Sequence, residues 1–260
     1  MTTYENFKFD VDADGIALVT WDMPNRSMNV LSQGSMGDMA AIIEKIVSDD
    51  TIKGAVLTSG KDAFCAGADL SMMGGQAGGQ SSGKEDEGSK EDRVKAMYEG
   101  NLKFNMLLRR LETCGKPVAA AINGTALGGG LEVTLACHYR VASDNPKTQI
   151  GLPEAKVGLL PGGGGTQRLP RLIGAQAALP LILQGTSLSP EKALKAGIIH
   201  KVVPAGELVA AAKAWLKEGL SQEKIKLGKK GPEVYPIAVQ PWDAQGYKVP
   251  GGDPNSKGGT

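Results

Sequence analysis

Apolar positions along the chain follow two rhythms that take turns. GIALVTWD (15–22) alternates apolar and polar residues, while IKGAVLTSG (52–60) and the run Val118 to Ile122 are short and almost wholly apolar. The first pattern predicts a strand with one solvated face. The other two predict strands buried on both faces. YRVASD (139–144) reads as a further short strand. Between these runs the period lengthens. Met36, Met39, Ala40, Ile43, Ile46 and Val47 fall on one face of a helix over 34–48. Val94, Met97, Tyr98, Leu102, Met106, Leu107 and Leu111 fall near one face of a helix over 91–112, which gives Met97 and Met106 a core role. Further helices are expected around Ala178–Leu183 and Pro190–Ala196, the latter with Ser189 as cap and Pro190 at its first position. VVPAGELVAAAKAWLKEGL then reads as strand, turn and helix. Recurring strand, elbow and helix units favour an α/β architecture.

Two stretches break the rhythm. Residues 74–90, GGQAGGQSSGKEDEGSK, are too polar to bury a face and read as a mobile loop, either a lid over a site or a tolerated insertion. After Lys226 the chain turns to proline among polar residues, with Pro232, Pro236, Pro241, Pro250 and Pro254. This divides the sequence into a domain over 1–230 and a Pro/Gly-rich tail over 231–260.

Composition narrows the function classes. With 260 residues, 22% charged and a net charge of +1, the chain has an ordinary globular composition and no electrostatic footprint for nucleic acid. No apolar run reaches membrane-spanning length, and the polar start MTTYENFKFD is not a signal peptide. Cys65, Cys114 and Cys137 form no CxxC pair, as suits a reduced, cytoplasmic protein. With only His138 and His200, a zinc site is not expected. There is no GxGxxG after a strand, no P-loop spacing and no GxSxG, so no route to a nicotinamide, ATP or a hydrolase serine is apparent.

The chemistry concentrates in PVAAAINGTALGGGLE (117–132). A buried strand runs into Gly128–Gly130 and then into a helix. Such an elbow leaves backbone N–H groups facing a cleft, and glycine permits the close approach. Glu132 stands in the first helical turn beside them. Free N–H donors next to a carboxylate suit oxyanion stabilisation and proton transfer. A tight packing elbow capped by a solvated glutamate is the structural alternative.

Three segments together, AFCAGADL (63–70), NGTALGGGLEVTLACHYRVAS (123–143) and GLPEAKVGLLPGGGGTQRLPRLIG (151–174), resemble the crotonase (enoyl-CoA hydratase/isomerase) superfamily. More narrowly, the chain resembles the N-terminal hydratase part of the α subunit of bacterial fatty-acid oxidation complexes. The resemblance implies an α/β spiral of ββα units with C-terminal helices, although the helices that usually end such domains are not evident here. It implies oxyanion donors at Ala68 and Gly129, catalytic carboxylates at Glu132 and Glu154, and a water-positioning N–H at Gly162. Ala66, Asp69 and Leu70 of the first motif become substrate-contact candidates, with a helix cap as the other reading of Asp69. The implied activity is hydration of 2-enoyl-CoA to 3-hydroxyacyl-CoA in β-oxidation, with no metal and no cofactor beyond the coenzyme A of the substrate. A Δ3,Δ2-enoyl-CoA isomerase, or both activities in one site, is the competing enzyme. A non-catalytic acyl-CoA-binding or assembly domain is the alternative of another class. Implied partners are the acyl-CoA thioester, further copies in a trimer-type oligomer, or a dehydrogenase domain and thiolase subunit.

Overall fold

The computed structural model describes residues 4–69, 90–227 and 231–244. In chain order the elements are β1 (Phe7–Val11), β2 (Ile16–Trp21), α1 (Gln33–Ser48), β3 (Gly54–Ser59), α2 (Lys90–Glu112), β4 (Val118–Ile122), β5 (Ala126–Leu127), α3 (Gly129–Ala136), β6 (Tyr139–Ser143) and β7 (Ile150–Gly151). They continue with α4 (Gly165–Ile173), α5 (Ala175–Leu183), β8 (Ser187–Leu188), α6 (Pro190–Lys195), β9 (Lys201–Val203), α7 (Leu208–Leu220), β10 (Ile225–Lys226), β11 (Glu233–Val234) and α8 (Pro241–Ala244).

The main sheet runs in the order β1-β2-β3-β4-β6-β9. Its first pair is antiparallel and the remaining pairings are parallel. A smaller sheet has the order β5-β7-β8. Isolated parallel bridges Leu31↔Ala68 and Cys65↔Ala126 extend that small ladder toward the earlier loops. Each turn of the chain therefore lays one strand in the large sheet and one short segment in the small ladder, and most turns then enter a helix. This is the spiral of ββα turns that the resemblance implies.

β4 is buried along its whole length, as expected of an apolar run between helical layers. Its small residues, Ala119, Ala120 and Ala121, let side chains close in from both faces. On one face Ala119 and Ala121 join Val56, Leu208, Ala212 and Leu216. On the other, Ala120 and Ile122 join a larger core with Met39, Ile43, Ile46 and Leu131. α1 begins with a capping box: the Ser35 N–H donates to Ser32 Oγ at 3.1 Å, and the Ser32 N–H donates to Ser35 Oγ at 2.9 Å. Ser189 and Pro190 open α6 as the sequence implies, with Ser189 accepting from the Lys192 N–H.

Two expectations need correction. Among the described side chains of α2, Leu108 and Leu111 are buried and Phe104 and Leu107 pack half-buried against the core, while Val94, Tyr98, Leu102 and Met106 are exposed, so Met106 has no core role. The Met97 side chain and residues 74–89 of the loop expected over 74–90 lie outside the described residues, and Lys90 opens α2. The tail expected from residue 231 is not all tail. Residues 231–244 include β11, a 3₁₀ turn at Pro236–Ala238 and α8, and they bury Val234, Ala238, Gln240 and Trp242 against the body. Prolines at the first turns of short helices, Pro236 and Pro241, initiate structure here instead of preventing it.

Candidate active site

The first wall of the site is the loop after β3. Asn29 is fully buried and all of its amide bonds are local clamps. Its Oδ1 accepts from the Met23 N–H, and its Nδ2 donates to Trp21 O, Ser59 Oγ and Phe64 O. Next to it, Ala66 N–H donates to Asn29 O, Leu31 N–H to Gly67 O, and Asp69 N–H to Leu31 O. In this parallel pairing Leu31 is bonded on either side of Ala68. The Ala68 N–H consequently points away from residues 29–31, because successive backbone groups of an extended segment face opposite edges. Gly67, at φ +101°, makes the turn that only glycine takes readily. A methyl group on it would stand 3.1 Å from Leu127 O and 3.7 Å from the Gly129 nitrogen. The loop is thus packed directly against the glycine elbow.

The elbow is the second wall. Gly128 has φ +55° and caps α3, and its N–H donates to Gly151 O. Gly129 is the first residue of α3, where backbone N–H groups lack helical partners. Among the described residues, neither the Ala68 nor the Gly129 N–H donates a hydrogen bond. The two donors come from adjoining loops that the Leu127 N–H to Cys65 O bond holds together.

Two carboxyls flank this elbow. Glu132 is 2% exposed. Its Oε1 accepts a 2.7 Å bond from the Gly165 N–H, and the Gly163 N–H also supports the carboxylate. Burial pushes its pKa up, against the pull of those N–H groups and of the Arg168 charge. Glu154 stands in the 3₁₀ turn Pro153–Val157, with Oε1 2.9 Å from where a methyl on Gly128 would lie. Its Oε2 is buried and has no hydrogen-bond partner among the described residues. Burial, with a smaller push from the Glu132 charge, raises Glu154 to about 7 against the pull of its own backbone N–H. The pair thus offers one carboxyl held by N–H donors and one, without such donors, that titrates near neutral pH.

The enoyl-CoA hydratase/isomerase family model matches residues 12–229. That span covers all of these walls. The chain belongs to the enoyl-CoA hydratase/isomerase family. It is 43% identical over 213 residues to the fatty acid oxidation complex subunit alpha of Idiomarina loihiensis, which covers 82% of the chain and 28% of that relative. The match to the same-named subunit of Shewanella frigidimarina is 42% over 225 residues, 86% of the chain and 30% of the relative. The chain therefore spans less than a third of the length of these curated relatives. Among solved structures, the enoyl-CoA hydratase of Bacillus anthracis superposes with a TM-score of 0.69 at 32% identity, covering 82% of this chain and 76% of that one. Pseudomonas aeruginosa DspI superposes with a TM-score of 0.68 at 34% identity, covering 82% and 79%.

Four of the eight residues that the hydratase/isomerase resemblance singles out lie together. Ala68, Gly129, Glu132 and Glu154 line one elbow. Gly162 is exposed at the head of the glycine run, with its carbonyl held by Asn105 Nδ2 at 2.6 Å. Ala66 is exposed, but its N–H is already bonded to Asn29 O. Asp69 is buried and ion-paired with Arg26 at 2.7 Å, and Leu70 lies outside the described residues. His138 and His200 are structural. Each accepts a backbone N–H at Nδ1, and burial lowers both to about 4, so both imidazoles are neutral. Cys65 is buried and its thiol is pushed up to about 12, which removes it as a nucleophile. Among the described residues no three His, Cys, Asp or Glu side chains form a metal cluster, and no helix is long and apolar enough to cross a membrane. Asn29 and Arg168 carry no mark in the sequence. The first sits in a loop without regular pattern, and the second is one of several cations in a glycine-rich run.

Proposed function

We propose that this chain is a 2-enoyl-CoA hydratase. The observation that carries the reading is the pairing of two differently held carboxyls, Glu132 and Glu154, beside the elbow that presents the Ala68 and Gly129 N–H groups. The thioester oxygen of the substrate lies between those two N–H donors. Water held near the Gly162 N–H and Glu132 gives its proton to Glu132 as its oxygen bonds to Cβ. The electron pair of the alkene moves onto the thioester oxygen, and the resulting enolate is stabilised by the two donors. Glu154 then delivers its proton to Cα. Water has been added, Glu132 is left protonated and Glu154 ionised, and exchange of protons with solvent restores the pair. One such N–H donor is worth about 3–4 kcal/mol of barrier, and each proton-transfer group about 10²–10⁴-fold in rate.

A Δ3,Δ2-enoyl-CoA isomerase is the second reading, because moving one proton between two carbons of the same enolate needs only Glu154. The raised affinity of Glu154 for its proton favours it as the shared carrier. A binding module needs no carboxyl pair and is disfavoured on that ground. The names of the relatives support β-oxidation of acyl-CoA thioesters as the setting, with assembly into a multienzyme complex as the partner reading. The direct test is to mix the chain with crotonyl-CoA and follow the loss of conjugated-thioester absorbance. Hydration at a rate that scales with protein supports the reading. An unchanged spectrum with an intact fold rejects it.

A further inference from the structure

The loop that holds Glu132 is built from four consecutive glycines, Gly162 to Gly165, one of them at φ +93°. Such a run has more conformational freedom than any other sequence and cannot hold a carboxylate in place by itself. Its rigidity must come from outside. Arg168 Nη1 donates to Gly163 O at 2.8 Å, and the rest of its fork is bidentate on Glu112, Nε to Oε1 at 2.7 Å and Nη2 to Oε2 at 2.9 Å. Glu112 is 2% exposed and also accepts from Arg109 Nη1 at 3.1 Å. Arg109 in turn grips Asp243 of α8 with both terminal nitrogens, at 2.9 and 2.6 Å. Charges alternate along this line: Asp243, Arg109, Glu112, Arg168.

A second line starts three residues earlier. Gln240, 1% exposed, donates from Nε2 to both Ala136 O and Cys137 O at 3.1 Å. Those carbonyls end α3, the helix that carries Gly129 and Glu132 at its other end. Buried Arg140 completes this terminus, with Nη1 on Thr134 O and Cys137 O. The two lines leave one short segment, 240–243, and reach Glu132 from both sides, one through its helix and the other through the loop that donates to its carboxylate. The segment is itself fixed by buried Ala238 and Trp242, and Ile237 packs onto Gly219 of α7.

We infer that Arg168 and Gln240 are positioning residues for Glu132, and that Asp243, acting through Arg109 and Glu112, sets Arg168. Residues 240–243 then act on Glu132 only through other residues. The inference rests on the hydratase reading above. The test uses the whole chain and crotonyl-CoA, measuring kcat, KM and melting temperature for Asp243→Asn, Gln240→Leu and the conservative Asp243→Glu. Asp12→Asn is the control, since it breaks the 2.7 Å ion pair with Lys213 far from these residues in sequence. Asp243→Asn is expected to lower kcat about tenfold with KM within about twofold, because misplacing a reacting group raises the barrier without weakening uniform binding. Asp243→Glu recovers most of that loss, and Asp12→Asn leaves kcat unchanged. Unchanged kcat in folded Asp243→Asn overturns the inference, whatever its melting temperature does. Should Gln240→Leu not fold, Asp243→Asn decides alone. A wild-type chain without hydratase activity would instead remove the underlying reading, and with it this one.

Discussion

The Gly165 N–H donates a 2.7 Å hydrogen bond to Glu132 Oε1. The neighbouring Gly163 has no room for a side chain, since a methyl there would stand 2.6 Å from Glu132 Oε2. Gly163→Ala must therefore move the carboxylate or the loop. We expect kcat/KM for enoyl-CoA hydration to fall by about 10²-fold, with about 1–3 kcal/mol of stability lost to overpacking. Steady-state kinetics and urea unfolding check both parts.

Ala68 offers a sharper deletion. Proline there removes one N–H donor, which is worth about 3–4 kcal/mol of barrier, while the bonds of Ala66, Gly67 and Asp69 to residues 29–31 remain. Folded Ala68→Pro should lose about 10²–10³-fold in kcat. Full activity in a correctly folded variant would remove Ala68 from the oxyanion site.

The pH dependence follows from Glu154. Its pKa of about 7 lies above the ordinary carboxyl value, so the free enzyme holds the proton that hydration must deliver only below that range. The basic limb of kcat/KM for hydration is expected to bend near pH 7. The Glu132 charge is one cause of the shift, so in Glu132→Gln the Glu154 titration, read by carbon-13 NMR of labelled glutamate, should move to lower pH. Stability has a matching sign. A carboxyl raised on folding contributes stability that is complete below the unfolded value and is lost as pH rises through the folded one. Glu154→Gln should therefore gain stability relative to wild type between about pH 4.5 and 7.

Much of this fold is legible in the sequence because buried strands and capped helices leave local marks. Val118–Ile122 is apolar throughout and becomes the buried β4, and Ser189-Pro190 opens α6 where the cap chemistry places it. The α2 stripe misleads because a helical period says that residues share a face, not that the face is covered. Val94, Tyr98, Leu102 and Met106 share a face and are exposed. The C-terminal segment misleads because proline favours both tails and first helical turns. Only the burial of Gln240 and Trp242 distinguishes the two. In the site, the elbow and both carboxyls were readable from motifs. The supports were not, since Asn29 and Arg168 act on backbone groups brought near only by folding.

Asn29 gives a stability prediction from one of those supports. It makes four side-chain bonds that tie the ends of β2 and β3 to Phe64 in the loop after β3. Asn29→Ala deletes all four and leaves buried backbone groups unpaired. At about 1 kcal/mol per bond the expected loss is about 3–5 kcal/mol, read by chemical denaturation. Because Ala66 and Asp69 are bonded to this same segment, kcat should fall as well.

The division of labour between the two carboxyls is the central claim, and one measurement reaches it most directly. Glu132→Gln and Glu154→Gln are each assayed for hydration of crotonyl-CoA and for conversion of a 3-enoyl-CoA to its 2-enoyl isomer. Glutamine keeps size and hydrogen-bonding capacity but cannot act as a base at neutral pH. Glu132→Gln is expected to lose hydration by at least about two orders of magnitude while retaining measurable isomerisation, and Glu154→Gln to lose both. The reverse ranking, with hydration surviving in Glu132→Gln while isomerisation disappears, would contradict the assignment.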